Sequence, residues 1–256
     1  MTPGWIAYND LAWVDDYLTG PAEYEEEVRC YIGLLEQQGI KPPGTLLHLG
    51  CGAGGHDRIF RQYFSVTGVD ISPGMLARAR AAHPDIGYLE GDMRSIRLNR
   101  RFDAVVIPDS IDYMVTIDDL RQAIHTAVTH LRPGGVLLVV GKTEETFRNN
   151  NFVYTGERDG THVTLFENNY RSLNNPGTYE AVLVYLIRQK EELSIQTERH
   201  ELGLFPLNTW EQVFRENGIE MMTTRLDGIY DPYLQNDGEY SLTVFTGKNE
   251  SGHYWR

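Results

Sequence analysis

The chain has 256 residues, of which 41% are hydrophobic and 23% charged, the proportions of a folded globular protein rather than of a disordered or fibrous one. Its formal net charge of −13 repels polyanions, so nucleic-acid substrates are not expected. Two cysteines are too few for a disulfide framework or a zinc site, and neither a secretion signal nor an apolar run of about 18 residues is present, so we expect a cytoplasmic protein without a metal or a membrane partner.

The first 44 residues are predicted to form a helical segment ahead of the first sheet strand. A helix is expected from about Ala22 to Gln38, ending before Gly39. The segment also carries several aromatic residues, namely Tyr8, Trp13, Tyr17 and Tyr24. Aromatic side chains in this place form a lid over a ligand or cover the edge of the sheet, and the pattern leaves both alternatives open.

Residues 45–150 alternate short apolar runs with helix-length amphipathic stretches, which is typical of βαβ units and a parallel sheet. The apolar runs are TLLHLG, SVTGVD, IGYLEG, FDAVVIP and GVLLVVG. Their continuous hydrophobicity fits strands that helices cover on both faces. Helices are predicted over residues 56–63, from Met75 onward, and over residues 116–131, where Pro133-Gly134-Gly135 is expected to end the helix and start the next strand.

Residues 151–205 interrupt this pattern with a predicted antiparallel meander. Asp159-Gly160 and the residues from Asn174 to Gly177 are hairpin-type turn signals between alternating segments. The α/β pattern resumes over residues 206–248, with a helix capped by Asn208 or Thr209 and stopped at Gly218, and with two further strands. The predicted fold is α/β, with a mostly parallel seven-stranded sheet flanked by helices and an antiparallel insertion after strand five.

A glycine-rich loop, LLHLGCGAGGHD, follows strand one directly. Gly50, Gly52 and Gly55 satisfy the G-x-G-x-x-G pattern, in which backbone N–H groups at a helix N-terminus face a nucleotide, although a purely structural turn also uses glycine. Asp70 ends strand two, 20 residues after Gly50, the separation at which an acid accepts hydrogen bonds from ribose hydroxyls. The two features together predict a nucleoside ligand.

Four ordered elements resemble those of one family. GCGAG at 50–54, Asp70, Asp92-Met93 and LRPGG at 131–135 match the class I S-adenosylmethionine-dependent methyltransferases. The resemblance implies a Rossmann-like sheet and methyl transfer from S-adenosylmethionine, with S-adenosylhomocysteine as product. An NAD-dependent oxidoreductase would be expected to show a Tyr-x-x-x-Lys motif or a comparable acid–base pair after strand four, and the sequence has none.

This resemblance implies the contacts of the cofactor. Asp92 would accept from the adenine amino group, and the backbone N–H of Met93 would meet a ring nitrogen. His48 stands where the family has an acid, and its neutral imidazole could still accept a hydrogen bond from the methionine ammonium. Alternatively, the ammonium would contact the backbone carbonyls of the glycine loop or those of Ile107 and Pro108. The candidate partners of the methionine carboxylate are Arg58, Tyr8 and Tyr17. The predicted cofactor-binding residues are His48, Gly50, Cys51, Gly52, Gly54, Asp70, Ile71, Met75, Asp92, Met93, Pro108 and Tyr8.

The loop after strand four, IPDSIDYM, would meet the methyl acceptor by the same resemblance. Asp112 and Tyr113 are predicted as catalytic residues, because a carboxylate can take the proton of an amine and a phenol can orient it. Trp13, Tyr17 and Asp109 are predicted to bind the substrate. Helix capping and sheet-edge packing are the alternative for each residue of the loop. The loop also lacks the Asn/Asp-Pro-Pro-Tyr/Phe motif of enzymes that methylate nucleic-acid bases.

The N-terminal YNDLAW segment and the antiparallel insertion look like those of small-molecule N-methyltransferases, including enzymes that dimethylate nucleotide-activated amino sugars. We therefore predict transfer of a methyl group to an amine nitrogen of a small molecule by in-line displacement. The insertion is expected to contact the acceptor, to form a homodimer, or to do both. A non-catalytic protein that binds S-adenosylmethionine, and an O-methyltransferase of a small metabolite, are the alternatives.

Overall fold

The computed structural model describes residues 4–18, 21–235 and 240–250, with the side chains of residues 21–23 left out. Its helices are α1 (Asp15–Leu18), α2 (Pro21–Gln37), α3 (Asp57–Phe60), α4 (Pro73–Ala82), α5 (Ile117–Thr129) and α6 (Leu207–Glu216), with short 3-10 helices at Ala12–Val14, Ser110–Tyr113 and Asp231–Tyr233. Its strands are β1 (Gly44–Leu49), β2 (Phe64–Asp70), β3 (Gly87–Glu90), β4 (Phe102–Ile107), β5 (Leu131–Gly141), β6 (Asn150–Arg158), β7 (Thr161–Arg171), β8 (Thr178–Gln189), β9 (Glu192–Gly203), β10 (Met222–Asp227) and β11 (Ser241–Lys248).

The larger sheet has seven strands in the order β10-β11-β5-β4-β1-β2-β3. Strands β1 to β5 run parallel, whereas β11 runs antiparallel to both β5 and β10. The strand order reverses between β1 and β4, and the carboxyl ends of strands at such a reversal form a crevice for ligands. The predicted α/β fold with a mostly parallel seven-stranded sheet is confirmed.

Helices cover both faces of this sheet, because successive residues of each strand point to opposite sides. Leu46 and Leu138 pack under α2, α3 and α4, whereas Leu47 and Leu137 pack under α5 and α6. All four leucines are completely buried, and each such side chain contributes roughly 2 kcal/mol to the hydrophobic stabilisation of the fold. The sheet is therefore a rigid platform for the residues at its edge.

The smaller sheet is an antiparallel meander in the order β6-β7-β8-β9. Asp159 and Gly160 join its first two strands with φ values of 51° and 74°, the conformation that a tight two-residue hairpin requires. The predicted meander is confirmed, and it begins at Asn150. The division of the chain into domains stays a prediction.

The boundary between α5 and β5 differs from the prediction. Pro133-Gly134-Gly135 does not separate the two elements, since α5 ends at Thr129 and β5 already begins at Leu131. Leu131 pairs with Phe102 of β4, and the backbone of Asn249 exchanges hydrogen bonds with Gly134 and Gly135. Tertiary pairing thus keeps the breaker residues inside a strand.

The start of α6 also differs from the prediction. The helix begins at Leu207 after Pro206, and neither Asn208 nor Thr209 caps it. The carboxylate of Glu145 instead accepts the Leu207 backbone N–H at 3.0 Å. A side chain distant in sequence therefore supplies the cap.

Candidate cofactor and acceptor site

A cavity of about 630 Å³ opens where the carboxyl ends of the parallel strands meet the smaller sheet, and its volume lies in the usual range for small-molecule sites. The described part of the N-terminal segment covers it through Trp5, Tyr8 and Leu11. We call residues 4–18 the lid because several of them line the cavity, and their role in covering a bound ligand stays a prediction. The predicted site residues that line the cavity are Tyr8, Gly50, Cys51, Gly52, Asp70, Ile71, Met75, Asp92, Met93, Pro108, Asp109, Asp112 and Tyr113.

The glycine loop after β1 approaches the cavity with its backbone. Gly50, Gly52 and Gly54 all have positive φ values, of 75°, 53° and 83°, which residues with a Cβ rarely adopt. A Cβ on Gly50 would collide with the side chain of Ser110. Gly54 does not line the cavity, and a Cβ there would lie 2.7 Å from the hydroxyl of Tyr88. Gly54 therefore serves the turn, and its contact with the cofactor stays a prediction.

Asp70, at the end of β2, ties the glycine loop to the start of α4. Its Oδ2 accepts the Gly52 N–H and its Oδ1 accepts the Ser72 N–H, both at 2.8 Å. Burial raises the pKa of Asp70, and the two backbone hydrogen bonds oppose this effect. Since each carboxylate oxygen can accept a second hydrogen bond, Asp70 keeps acceptor capacity for ribose hydroxyls.

Asp92, one strand further along the sheet edge, is paired with Arg94. It accepts hydrogen bonds from the Arg94 backbone at 2.8 Å and from the guanidinium Nη2 at 2.6 Å. Arg94 also binds Asp119 at 2.7 Å. Burial opposes ionisation of Asp92, but the Arg94 hydrogen bonds outweigh it and hold the pKa of Asp92 below its ordinary value. An ionised carboxylate in this position can accept a hydrogen bond from an exocyclic amine. Arg94, which keeps it ionised, was not predicted from the sequence.

His48 lies outside the cavity lining, contrary to the prediction that it contacts the cofactor. Its side chain is 1% exposed, and its Nδ1 lies 2.7 Å from Oδ1 of Asp57. The other oxygen of Asp57 accepts the Tyr88 hydroxyl at 3.0 Å. The partner of His48 is therefore an acid of α3 rather than a ligand. Arg58 is likewise absent from the cavity lining.

Trp13 and Tyr17, predicted to bind the substrate, also lie outside the cavity lining. Their rings meet edge to face at 5.4 Å and join an apolar cluster with Val163 and Leu183 of the smaller sheet. The guanidinium of Arg158 lies over the Tyr17 ring at 5.2 Å. Both aromatic residues therefore pack the lid against the smaller sheet.

The loop after β4 contributes two acids in different surroundings. Asp109 faces the cavity, and burial together with the charge of Glu27 raises its pKa to about 7. Asp112 is buried, and its Oδ2 accepts from Lys142 Nζ at 2.9 Å and from the Tyr179 hydroxyl at 3.0 Å. The catalytic role of Asp112 stays a prediction, but this ion pair favours a positioning role.

Tyr113 lies in a chain of hydrogen bonds at the part of the cavity that the loop after β4 and strands β7, β8 and β9 line, which we call the acceptor end. Its hydroxyl oxygen is 2.5 Å from that of Tyr8 and 2.6 Å from Nδ1 of His200. Sequence reasoning missed His200 and Glu167, which line the cavity from β9 and β7. The only available signal was a polar residue in a strand of alternating polar and apolar residues. The alternation does not say which face of such a strand points to the cavity, because this depends on how the sheet packs.

In residues 4–18, 21–235 and 240–250, no group of three or more His, Cys, Asp and Glu side chains is placed to hold a metal ion. The same described residues contain no helix that is long and apolar enough to cross a membrane.

Comparisons with known proteins agree with this architecture. A family model described as "Methyltransferase domain" matches residues 46–135. A dTDP-3-amino-3,4,6-trideoxy-alpha-D-glucopyranose N,N-dimethyltransferase of Streptomyces venezuelae is 41% identical over 125 residues, which are 48% of this chain and 52% of that protein. The match thus spans about half the length of that relative.

Two further similarities cover most of the chain. A dTDP-3-amino-3,6-dideoxy-alpha-D-glucopyranose N,N-dimethyltransferase of Streptomyces fradiae is 27% identical over 201 residues, 78% of each protein. The crystal structure of Streptomyces venezuelae DesVI superposes with a TM-score of 0.74 at 26% identity, over 93% of this chain and 95% of that chain. The resemblance found in the sequence is confirmed: residues 46–135 match the methyltransferase domain, and the chain shares the fold of the DesVI structure over most of its length.

Proposed function

We propose that this protein transfers a methyl group from S-adenosylmethionine to an amine nitrogen of a small molecule. The cofactor, when bound, supplies the activated methyl group. The chain therefore has to bind the cofactor and the acceptor, align them and exclude water. Its residues fit the cofactor. Asp70 retains acceptor capacity for ribose, Asp92 is held as an anion for the adenine amine, and Gly50 leaves a cradle that a Cβ would fill.

The charge of the acceptor end favours an amine as the methyl acceptor. Glu167 and, in its ionised form, Asp109 line this end of the cavity, so it attracts cations. Lys142, in contrast, is neutralised by Asp112, and at the cofactor end Arg94 is neutralised by Asp92 and Asp119. A carboxylate placed at this end would therefore find no unpaired cation among these side chains, so methylation of a carboxylate oxygen is disfavoured and a cationic amine is favoured as the reacting group.

Relatives that act on nucleotide-linked amino sugars make this class of amine the first to test. The polar and aromatic lining of the acceptor end, with Tyr154, Tyr179 and Tyr185, supports a sugar, because tyrosines combine an apolar ring face with a hydroxyl. The absence of nucleic-acid and membrane partners, a homodimer and a cytoplasmic location stay predictions.

Calorimetry with S-adenosylmethionine, S-adenosylhomocysteine and NAD tests the cofactor. We expect the first two to bind and NAD not to bind, and we expect Asp92→Asn to weaken binding by about 10- to 100-fold, since one charge-assisted hydrogen bond is lost. Asp118→Asn is the matched control, because that acid is 82% exposed. Tight binding of NAD alone would contradict the assignment.

Mass spectrometry with an amine probe tests the reaction. Incubation with S-adenosylmethionine and dTDP-3-amino-3,6-dideoxyglucose should add one or two methyl groups to the probe. The deaminated hydroxy analogue of the same sugar nucleotide is the control. Methylation of the hydroxy analogue alone would instead indicate an O-methyltransferase, and cofactor binding without transfer to any amine would indicate a binding protein.

A further inference from the structure

A line of polar side chains runs from the acceptor end of the cavity to a carboxylate outside it. The hydroxyls of Tyr8 and Tyr113 are 2.5 Å apart, and the Tyr113 hydroxyl is 2.6 Å from His200 Nδ1. The other ring nitrogen of His200 lies 3.0 Å from Glu198 Oε2, an ion-pair distance without the alignment of a hydrogen bond. His200 is 2% exposed, so water has little access to this imidazole.

Three segments far apart in sequence assemble this line. Tyr8 belongs to the lid, Tyr113 to the loop after β4, and His200 to β9. The lid is held in place by the same carboxylate that ends the line, since Glu198 accepts the backbone N–H groups of Ile6 and Ala7 at 2.7 and 2.9 Å. Trp5 of the lid also stacks on the His200 ring at 5.0 Å. The line is therefore complete only when the lid covers the cavity.

We propose, on the basis of the proposed amine methylation, that Tyr8, Tyr113, His200 and Glu198 form a proton relay that removes one proton from the ammonium form of the acceptor when the lid is closed. An amine has to lose this proton before its electron pair can attack a methyl group. The hydroxyl of Tyr8 is the end of the relay that faces the cavity, and Glu198 is its charge-balancing end.

The proton moves without any change of oxidation state. An N–H bond of the ammonium breaks and an O–H bond forms on Tyr8, while Tyr8 passes its own proton to Tyr113. Tyr113 passes its proton to Nδ1 of His200, and the amine keeps the electron pair of the broken bond. The resulting imidazolium is balanced by the Glu198 carboxylate, and the proton leaves to water when the lid opens.

The surroundings suit a relay that passes protons and does not store them on oxygen. Burial raises the pKa of both Tyr8 and Tyr113 above the ordinary value, so neither phenol ionises on its own. Glu167 of β7 faces both tyrosines and attracts the acceptor ammonium to this end. The other titratable groups that face the relay are Asp15, Asp70, Tyr179 and Tyr185.

The test compares rates over pH for the parent, His200→Gln and Tyr113→Phe, with dTDP-3-amino-3,6-dideoxyglucose as the probe. We expect both variants to lose about 100-fold in kcat near pH 6.5 and less than about 5-fold near pH 9.5, because at high pH the amine arrives already deprotonated. KM for S-adenosylmethionine should not change. His125→Gln, a histidine of the exposed face of α5, is the control. An equal loss at every pH would indicate a structural role and overturn the relay.

Nitrogen NMR of labelled histidine gives a readout that does not need turnover. In the protein with bound S-adenosylhomocysteine, His200 should be neutral with its proton on Nε2, and Tyr113→Phe should shift the Nδ1 resonance. A His200 protonated on Nδ1, or unmoved by Tyr113→Phe, overturns the relay. If the relay passes this test but no amine is methylated by the parent, the proposed function fails while the hydrogen-bonded line stands, so the two failures are distinguishable.

Discussion

Asp109 combines an uncommon backbone conformation with a carboxyl group whose pKa is raised. It lies just after β4 with a φ of 54°, a positive value that residues with a Cβ rarely adopt, and its side chain lines the cavity. Burial and the neighbouring charges of Glu27 and Asp112 raise its pKa from 3.8 to about 7, whereas Lys142 and His56 oppose the rise. A carboxyl kept in this setting costs stability, which is common for groups that serve a site.

The stability of the protein should therefore depend on Asp109 in a defined pH range. Because its pKa is raised in the folded state, its contribution favours folding at low pH and is lost as the pH rises from about 4 through about 7. Asp109→Asn is expected to be more stable than the parent at about pH 8, by on the order of 4 kcal/mol, and nearly equal to it near pH 4. Urea unfolding at both pH values measures this difference.

A matched variant separates this effect from a general loss of negative charge. Asp118→Asn removes an acid that is 82% exposed, and it should change stability by less than about 0.5 kcal/mol at both pH values. If Asp109→Asn and Asp118→Asn behave alike, the carboxyl of Asp109 titrates normally and the burial argument is wrong.

At the scale of elements, the ion pair of Asp112 and Lys142 joins the loop after β4 to the end of β5. Asp112 holds the Lys142 ammonium at 2.9 Å, and both side chains are at most 10% exposed. Burial lowers the pKa of Lys142, but the charge of Asp112 more than reverses this, so the lysine stays charged. Removing one partner leaves an uncompensated buried charge.

Lys142→Met is accordingly expected to destabilise the protein by about 3–5 kcal/mol, whereas the double variant Asp112→Asn/Lys142→Met should recover most of the loss. Thermal unfolding of the parent, both single variants and the double variant measures the coupling. Arg121→Met is the control, since its pair with Glu216 is about 40% exposed and should be worth less than about 1 kcal/mol. Additive losses in the double variant would show that the pair is not coupled.

The lid meets the smaller sheet at a position that only glycine fits. A Cβ on Gly156 of β6 would overlap the carbonyl oxygen of Tyr17, so Gly156→Ala should push α1 away from the sheet. Hydrogen exchange should then be faster at Ile6 and Ala7, which donate to Glu198, with little change in the larger sheet. Gly87→Ala is the control, because a Cβ there meets nothing within 4 Å. Unchanged exchange at Ile6 would mean that the lid is held without this contact.

At the scale of the whole molecule, the sequence predicted those parts of the fold that rest on local patterns. Continuous apolar runs with turn residues between them predicted the strands, and glycines with acids at strand ends predicted Asp70, Asp92 and the loop at Gly50. Contacts between distant segments were beyond this reasoning. His48 pairs with an acid nine residues away, Glu145 caps a distant helix, and His200 reaches the cavity from β9. Each of these contacts depends on how helices and strands pack against one another, and the periodicity of the sequence does not contain this information.

The cavity lies between the larger sheet, the lid and the smaller sheet, so a ligand that fills it should couple all three. S-adenosylhomocysteine at 100 times its dissociation constant should raise the free energy of unfolding by about 2.7 kcal/mol, and NAD at the same concentration should not. If the lid closes on the ligand, hydrogen exchange should slow not only at Gly52 but also at Ala7 of the lid and around His200 of β9. Protection confined to the glycine loop would mean that the cofactor binds the larger sheet alone. In that case the lid and the smaller sheet would respond only to the methyl acceptor, and repeating the exchange with acceptor and S-adenosylhomocysteine together would measure that response.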